Sequence, residues 1–356
     1  MTRAASGLRF DPPTLEPTAE SCWLLLRAFG PAAADCAPPQ PAAALAMAQR
    51  TGLAPRIAVR TPAAALQAEL GDLAAMLIEA RRLAASHALA YESVIDALSA
   101  VADAIPRPLV LLKGAALHAA GWVALGCRHV GDLDALIDPA GADDFLAGLE
   151  AAGFQPSDGP RNEHHLPPLA APGWGVVDLH DGLRGVCDAT GRWLDASGAL
   201  ATGEPLEVRP GCWVPARKLV AAHVLAHGLE QHAWSPDPYP LLRTVADLLD
   251  LLPGPDDWSA AMPELAAWLR DTISGAELAA ARDLCLALRD GRPPDTLAAD
   301  PGRLLAHLVA YSLDDAYRAG LRGRHRRHRL GQAIRRGTLV RYAGRKLSDW
   351  WRRATR

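Results

Sequence analysis

Residues 111–137 read LLKGAALHAAGWVALGCRHVGDLDALI. An apolar run ends in Lys113-Gly114, a helix-forming stretch follows, and a second apolar run carries Gly131-Asp132-Leu133-Asp134. Alternate residues of a strand point to the same side, so a strand over Val130–Ile137 presents Asp132 and Asp134 on one face. Two carboxylates, with a glycine that lets a phosphate approach the backbone, are donors suited to a magnesium–nucleotide complex. Nowhere else in the chain do residue types and spacing argue together for chemistry.

The elements around this stretch follow from its neighbours. Leu109–Leu112 reads as a short buried strand, Ala115–Trp122 as a helix opening after Gly114, and Ala142–Ala152 as a helix closed by Gly153. A loop rich in Pro, Gly and His, Gln155–Gly173, leads to a further strand in Gly175–His180, GVVDLH. Upstream, Ala63–Ala100 has apolar residues at three- and four-residue spacing and no proline, which predicts one helix ended by Pro106 and Pro108. Residues 1–40 are Pro- and Ala-rich, with one short apolar piece around Trp23–Leu26.

After Pro215 the helical spacing returns, over residues 217–234, 239–252, Met262–Asp271, Gly275–Arg289 and Arg303–Ala319. The expected fold is α+β: a small mixed β-sheet core over residues 105–214, flanked by an N-terminal helical region (1–104) and a C-terminal one (215–320). A basic amphipathic tail, 321–356, follows. The sequence contains no internal repeat.

Composition narrows the class further. Half of the 356 residues are hydrophobic, enough for a sizeable core. The six cysteines, Cys22, Cys36, Cys127, Cys187, Cys212 and Cys285, are widely spaced with no CxxC pair. No signal-peptide pattern and no apolar run of membrane-spanning length is present, so a reduced cytoplasmic protein is expected. Basic residues are almost all arginine; the lysines are Lys113, Lys218 and Lys346. From Leu321 to Arg356 there are thirteen Lys/Arg and one acidic residue, a net of +12, which leaves −15 for the rest of a chain whose total is −3. An acidic body thus carries a basic tail.

Four stretches in fixed order resemble the uncharacterised nucleotidyltransferases of the DNA polymerase β-like superfamily. They are LLKGAAL (111–117), RHVGDLDALI (128–137), VVDLH (176–180), and AHGLEQHAW with LLRTVADLL (226–249). The resemblance implies transfer of a nucleoside monophosphate from an NTP to an acceptor hydroxyl, with release of pyrophosphate. It implies two Mg²⁺ ions held by Asp132 and Asp134, with Asp178 as third ligand and helper in deprotonating the acceptor. It also implies a triphosphate held at Gly114 and Gly131, with Lys113 neutralising phosphate charge if it points into the site. Arg128 is placed either to reach phosphate or to orient Asp132. The superfamily usually has Gly-Ser or Gly-Gly at the first motif, where this chain has Lys113-Gly114-Ala115, so no hydroxyl is offered at Ala115. The acceptor, whether peptide or protein, small molecule or RNA, is not readable from the sequence.

Other features have plainer readings. His223 and His227 share a helix face, but Val224 stands where a zincin has its glutamate, so they are expected to pack rather than to bind zinc. Cys127 reads as a small buried hydrophobe. His180 is expected to pack, with stacking on a base as the alternative, and Glu163-His164-His165 is a weak candidate for the acceptor site. In the tail, Leu339, Val340, Ala343, Leu347, Trp350 and Trp351 recur at helical spacing among arginines. That pattern suits a helix docked on the acidic body, or an anionic partner.

Overall fold

The structure, a computed structural model, describes residues 18–31, 37–38, 40–105, 107–157, 166–172, 175–231 and 239–292. The loop with Glu163-His164-His165, the expected helix 303–319 and the basic tail lie outside the described residues.

The N-terminal part is helical, and the short apolar piece around Trp23–Leu26 lies within a full helix. Helix α1 (Ala19–Phe29) is capped by Thr18, whose side chain accepts from Ser21 N, and has Glu20 in its first turn and Arg27 in its last. Two helices follow, α2 (Pro41–Arg50) and α3 (Ala54–Arg60), both with proline in the first turn, where its missing N–H costs nothing. The single helix expected from Ala63 onward is two, α4 (Ala63–Leu70) and α5 (Ala74–Ala104). Gly71, at φ +58, breaks it, and a 3₁₀ turn over Gly71–Leu73 joins the pieces. Trp23 is fully buried and donates its indole N–H to Glu69 Oε2 at 2.8 Å, and Arg27 pairs with the same carboxylate. These bonds fix α1 to α4.

The central sheet is mixed. Its first strand is β1 (Leu109–Leu111), followed at once by α6 (Lys113–Ala119), which starts two residues earlier than expected. Next come β2 (Asp132–Leu136), α7 (Ala142–Ala151), β3 (Gln155–Pro156), β4 (Leu169–Ala170) and β5 (Val176–His180). Gly153, at φ +91, follows α7 as its sequence predicts. A separate two-stranded ribbon, β6 (Leu183–Cys187) with β7 (Trp193–Leu194), and the short helix α8 (Ala196–Leu200) precede β8 (Glu204–Pro205) and β9 (Cys212–Val214).

The seven-stranded order is β3-β4-β5-β2-β1-β9-β8. β2 runs antiparallel to β1 and parallel to β5, and β1 runs parallel to β9. The central strand, β2, therefore carries the Asp132-Asp134 pair, and its neighbour β1 leads into the Lys113-Gly114 turn.

Four helices close the structure: α9 (Arg217–Ala226), ending in a π-helical turn over His227–Gln231, then α10 (Tyr239–Leu251), α11 (Pro255–Leu269) and α12 (Gly275–Arg289). Gly228 allows the π turn to meet α10, since a Cβ there would collide with the Thr244 side chain. One buried apolar cluster runs from Trp23 through the sheet to Leu288. Helix α5 packs on β1, α6 and β9, while α9 packs on α6, α10 and α11. Arg56 on α3 reaches α10, with Nη1 and Nη2 at 2.8 and 3.0 Å from the two oxygens of Asp250. Among the described residues no helix is long and apolar enough to cross a membrane.

Candidate active site

Strand pairing assembles the three aspartates. Asp132 and Asp134 share a face of β2, and the parallel register sets Asp178 of β5 directly beside Asp134. One carboxylate oxygen from each of the three lies within 4.8 Å of the others. Burial is graded: Asp132 is exposed, Asp178 half-buried and Asp134 buried, so the cluster opens to solvent at the start of β2. That strand start is held from behind by α5, where the fully buried Tyr91 donates its hydroxyl to the Asp132 carbonyl at 2.6 Å.

Two cationic or proton-bearing groups meet Asp134 on a single oxygen. The Leu112 N–H donates to the Asp134 carbonyl at 3.0 Å, which carries the next residue, Lys113, alongside. Lys113 adopts φ +43, a left-handed conformation that costs a non-glycine residue about 1–2 kcal/mol. Its Nζ reaches Asp134 Oδ1 at 2.7 Å. His180 lies two residues beyond Asp178 on the same face of β5, and its Nε2 lies 2.9 Å from that same Oδ1. Burial would push the Asp134 carboxyl up, but Lys113 and His180 overcome it and hold the acid well below the usual range. Asp134 is therefore ionised and accepts only, so the His180 Nε2 carries the proton. Behind His180 stand two more imidazoles, His223 at 6.1 Å and then His227 at 6.4 Å between ring centroids, both nearly edge-on.

Asp178 behaves oppositely. Burial, then the neighbouring charges of Asp134 and Asp132, push it up from 3.8 to about 6. Burial and like charges act together here, and a bound cation would oppose both. The donor set is three hard carboxylate oxygens, with neither thiolate nor imidazole among them, and this suits Mg²⁺ or Mn²⁺.

The remaining sequence candidates fall on two sides of this cluster. Gly131 is exposed, with nothing within 4 Å of where a Cβ would stand, so backbone beside Asp132 is open to a ligand. Gly114 is buried, and a Cβ there would fall on the Arg128 guanidinium. Arg128 is itself buried and bidentate to Asp247 on α10, with Nε–Oδ1 at 2.9 Å and Nη2–Oδ2 at 3.1 Å. The guanidinium thus lies beneath the Lys113-Gly114 turn and ties it to the C-terminal helices. His118 on α6 is pushed down to about 4 by burial and by Arg128, which keeps its ring neutral. Cys127 is buried against Arg56, 3.7 Å from Nη1, as a small core residue.

Sequence reasoning did not single out Tyr91 or Asp247, and it read His180 as packing. His180 had a signal, its period-two spacing from Asp178. Asp247 lies in the LLRTVADLL stretch that carries part of the resemblance, but its partner is visible only in three dimensions. Tyr91 had no signal beyond being the one aromatic in its long helix.

A family model described as an uncharacterised nucleotidyltransferase matches residues 38–284, a span that holds every element of the site. No curated protein and no solved structure matches the chain.

Proposed function

The chain belongs to the uncharacterised nucleotidyltransferase family, and on that footing we propose that it transfers a nucleoside monophosphate from an NTP to an acceptor hydroxyl. The observation that carries this reading is the convergence of Asp132, Asp134 and Asp178 within 4.8 Å across β2 and β5. Asp132, Asp134 and Asp178 would hold Mg²⁺ there, and it would supply charge neutralisation for the transferred phosphate.

The residues divide the work by their exposure. Asp132, at the open end of the cluster, would hold the cation on the side where the donor phosphates enter, and Gly131 beside it leaves the backbone clear for them. Asp134, ionised and anchored by Lys113 and His180, sets the position of the cation. Asp178, on β5 directly beside the buried Asp134, is the carboxylate we assign as base, and one of its oxygens accepts the proton of the acceptor hydroxyl. The acceptor oxygen then bonds to the α-phosphorus, the bond from that phosphorus to the bridging oxygen breaks, and pyrophosphate leaves with the electron pair. Lys113 adds positive charge beside the incoming triphosphate. Gly114 and Arg128 hold the turn that presents Lys113, with Gly114 small enough to let the guanidinium lie beneath it.

Calorimetric binding of each of the four NTPs, with and without Mg²⁺, tests the reading. Wild type should bind at least one NTP in a Mg²⁺-dependent way, and the folded Asp132→Ala/Asp134→Ala variant should not. Failure of every NTP to bind the intact protein refutes nucleotidyl transfer from an NTP.

A further inference from the structure

Asp134 is the buried member of the triad, and a two-ion site would use it, with Asp132, as a ligand shared between both ions. A carboxylate oxygen has two lone-pair directions. On Asp134 Oδ1 both are taken, one by Lys113 Nζ at 2.7 Å and one by His180 Nε2 at 2.9 Å. Only Oδ2 is left for a cation.

Neither partner is a loosely placed surface group. The Lys113 side chain is 11% exposed and that of His180 2% exposed. Lys113 stands in the left-handed backbone region, and the residue before it is bonded through its N–H to the Asp134 carbonyl. The backbone, and not only a flexible side chain, therefore delivers the ammonium to this oxygen.

We propose that the Lys113 ammonium, fixed on Asp134 Oδ1, occupies the place of the second divalent ion, so that the triad takes one ion instead of two. This rests on the nucleotidyltransferase reading of the triad given above. Lys113 is then a positioning residue for Asp134 and a built-in counter-charge, and His180 holds the shared oxygen in line.

Counting Mn²⁺ by electron paramagnetic resonance tests the inference without turnover. Full-length protein is loaded with Mn²⁺ and inorganic tripolyphosphate, which mimics the donor's phosphates without choosing a base. Ions at the triad are counted by difference against the Asp132→Ala/Asp134→Ala variant. Wild type should hold one ion per chain, with the spectrum of an isolated Mn²⁺. Lys113→Gly removes the ammonium at a φ that glycine tolerates, and Lys113→Met removes only the charge. Either variant should take up a second ion and show the exchange coupling of a close pair. Two coupled ions in wild type would overturn the inference while leaving the nucleotidyltransferase reading intact. So would a single ion in both folded Lys113 variants. No triad-dependent Mn²⁺ in wild type would remove the metal site itself, and the inference with it.

Discussion

Replacing Asp178 by asparagine should stabilise the metal-free protein, and only at the upper end of the pH range. The carboxyl stands at about 6 in the folded chain against 3.8 when unperturbed. Between those values the folded chain holds a proton that the unfolded chain has released, so stability falls as pH rises through that window. Above it the ionised group carries the whole penalty. At 1.36 kcal/mol per pKa unit the penalty has a ceiling of about 3 kcal/mol. Asp178 is only half-buried, and solvent screening brings the expectation to about 1–2 kcal/mol. Asparagine keeps the shape and removes the charge. The advantage of Asp178→Asn should be near zero at about pH 4, grow through pH 6 and stay level above it.

Urea denaturation of chelator-treated protein across that range, with the denaturant slope unchanged between variants, measures the difference directly. Magnesium should reverse the order at about pH 8. A ligand at a hundred times its dissociation constant stabilises the native state by about 2.7 kcal/mol, and wild type alone keeps the full donor set to gain it. A variant destabilised equally at every pH would refute the claim that burial and its neighbours' charges raise Asp178. A variant that keeps the wild-type response to magnesium would refute its place among the ligands.

Three further substitutions test the supports of the site. Gly114→Ala puts a methyl on the Arg128 guanidinium, which Asp247 holds from the other side, so thermal denaturation should show a loss of about 1–3 kcal/mol. Asp247→Asn leaves Arg128 buried without its counter-charge and should cost about 3–5 kcal/mol by urea denaturation; full wild-type stability would show that the pair contributes nothing. Tyr91→Phe removes the hydroxyl bonded to the Asp132 carbonyl, at a cost of about 1 kcal/mol. Its sharper readout is a weakened Mn²⁺ affinity, because the start of β2 is no longer pinned; unchanged affinity would confine Tyr91 to the core.

What could be read from the sequence follows from how local each signal is. β1, β2, α7, β5, α10 and α12 announce themselves through apolar runs, period or flanking glycine and proline, and they surface close to where expected. The Asp132-Asp134 pair is legible for the same reason, since strand alternation alone puts both on one face. Strands β3, β4, β7 and β8 are two residues long and exist only through their partners, so nothing in their own residues marks them. Helices α1 to α3 hide in Pro- and Ala-rich text because their buried residues are stabilised by tertiary contacts such as Trp23 with Glu69. Arg128 shows the limit at the site: its spacing from Asp132 leaves phosphate and support equally open. The Asp247 that engages it lies far along the chain, on α10.

The strands that carry the three aspartates are too short to fix a site by themselves, and helices on both sides supply the missing rigidity. From α5, Tyr91 holds the backbone at Asp132. From α10, Asp247 clamps Arg128, and Arg128 fills the space that Gly114 leaves under the Lys113 turn. That turn delivers the ammonium to Asp134, while His180, from the neighbouring strand, completes the grip on the same oxygen. Each acidic residue thus has its own support: the strand start for Asp132, the buried ammonium and imidazole for Asp134, and strand register for Asp178. A cluster of three carboxylates repels itself, and burial together with that repulsion raises Asp178 while Asp134 is held down by its two partners. The positions of the three acids follow from the sheet, but their different chemical characters follow from the helices and turn packed around it.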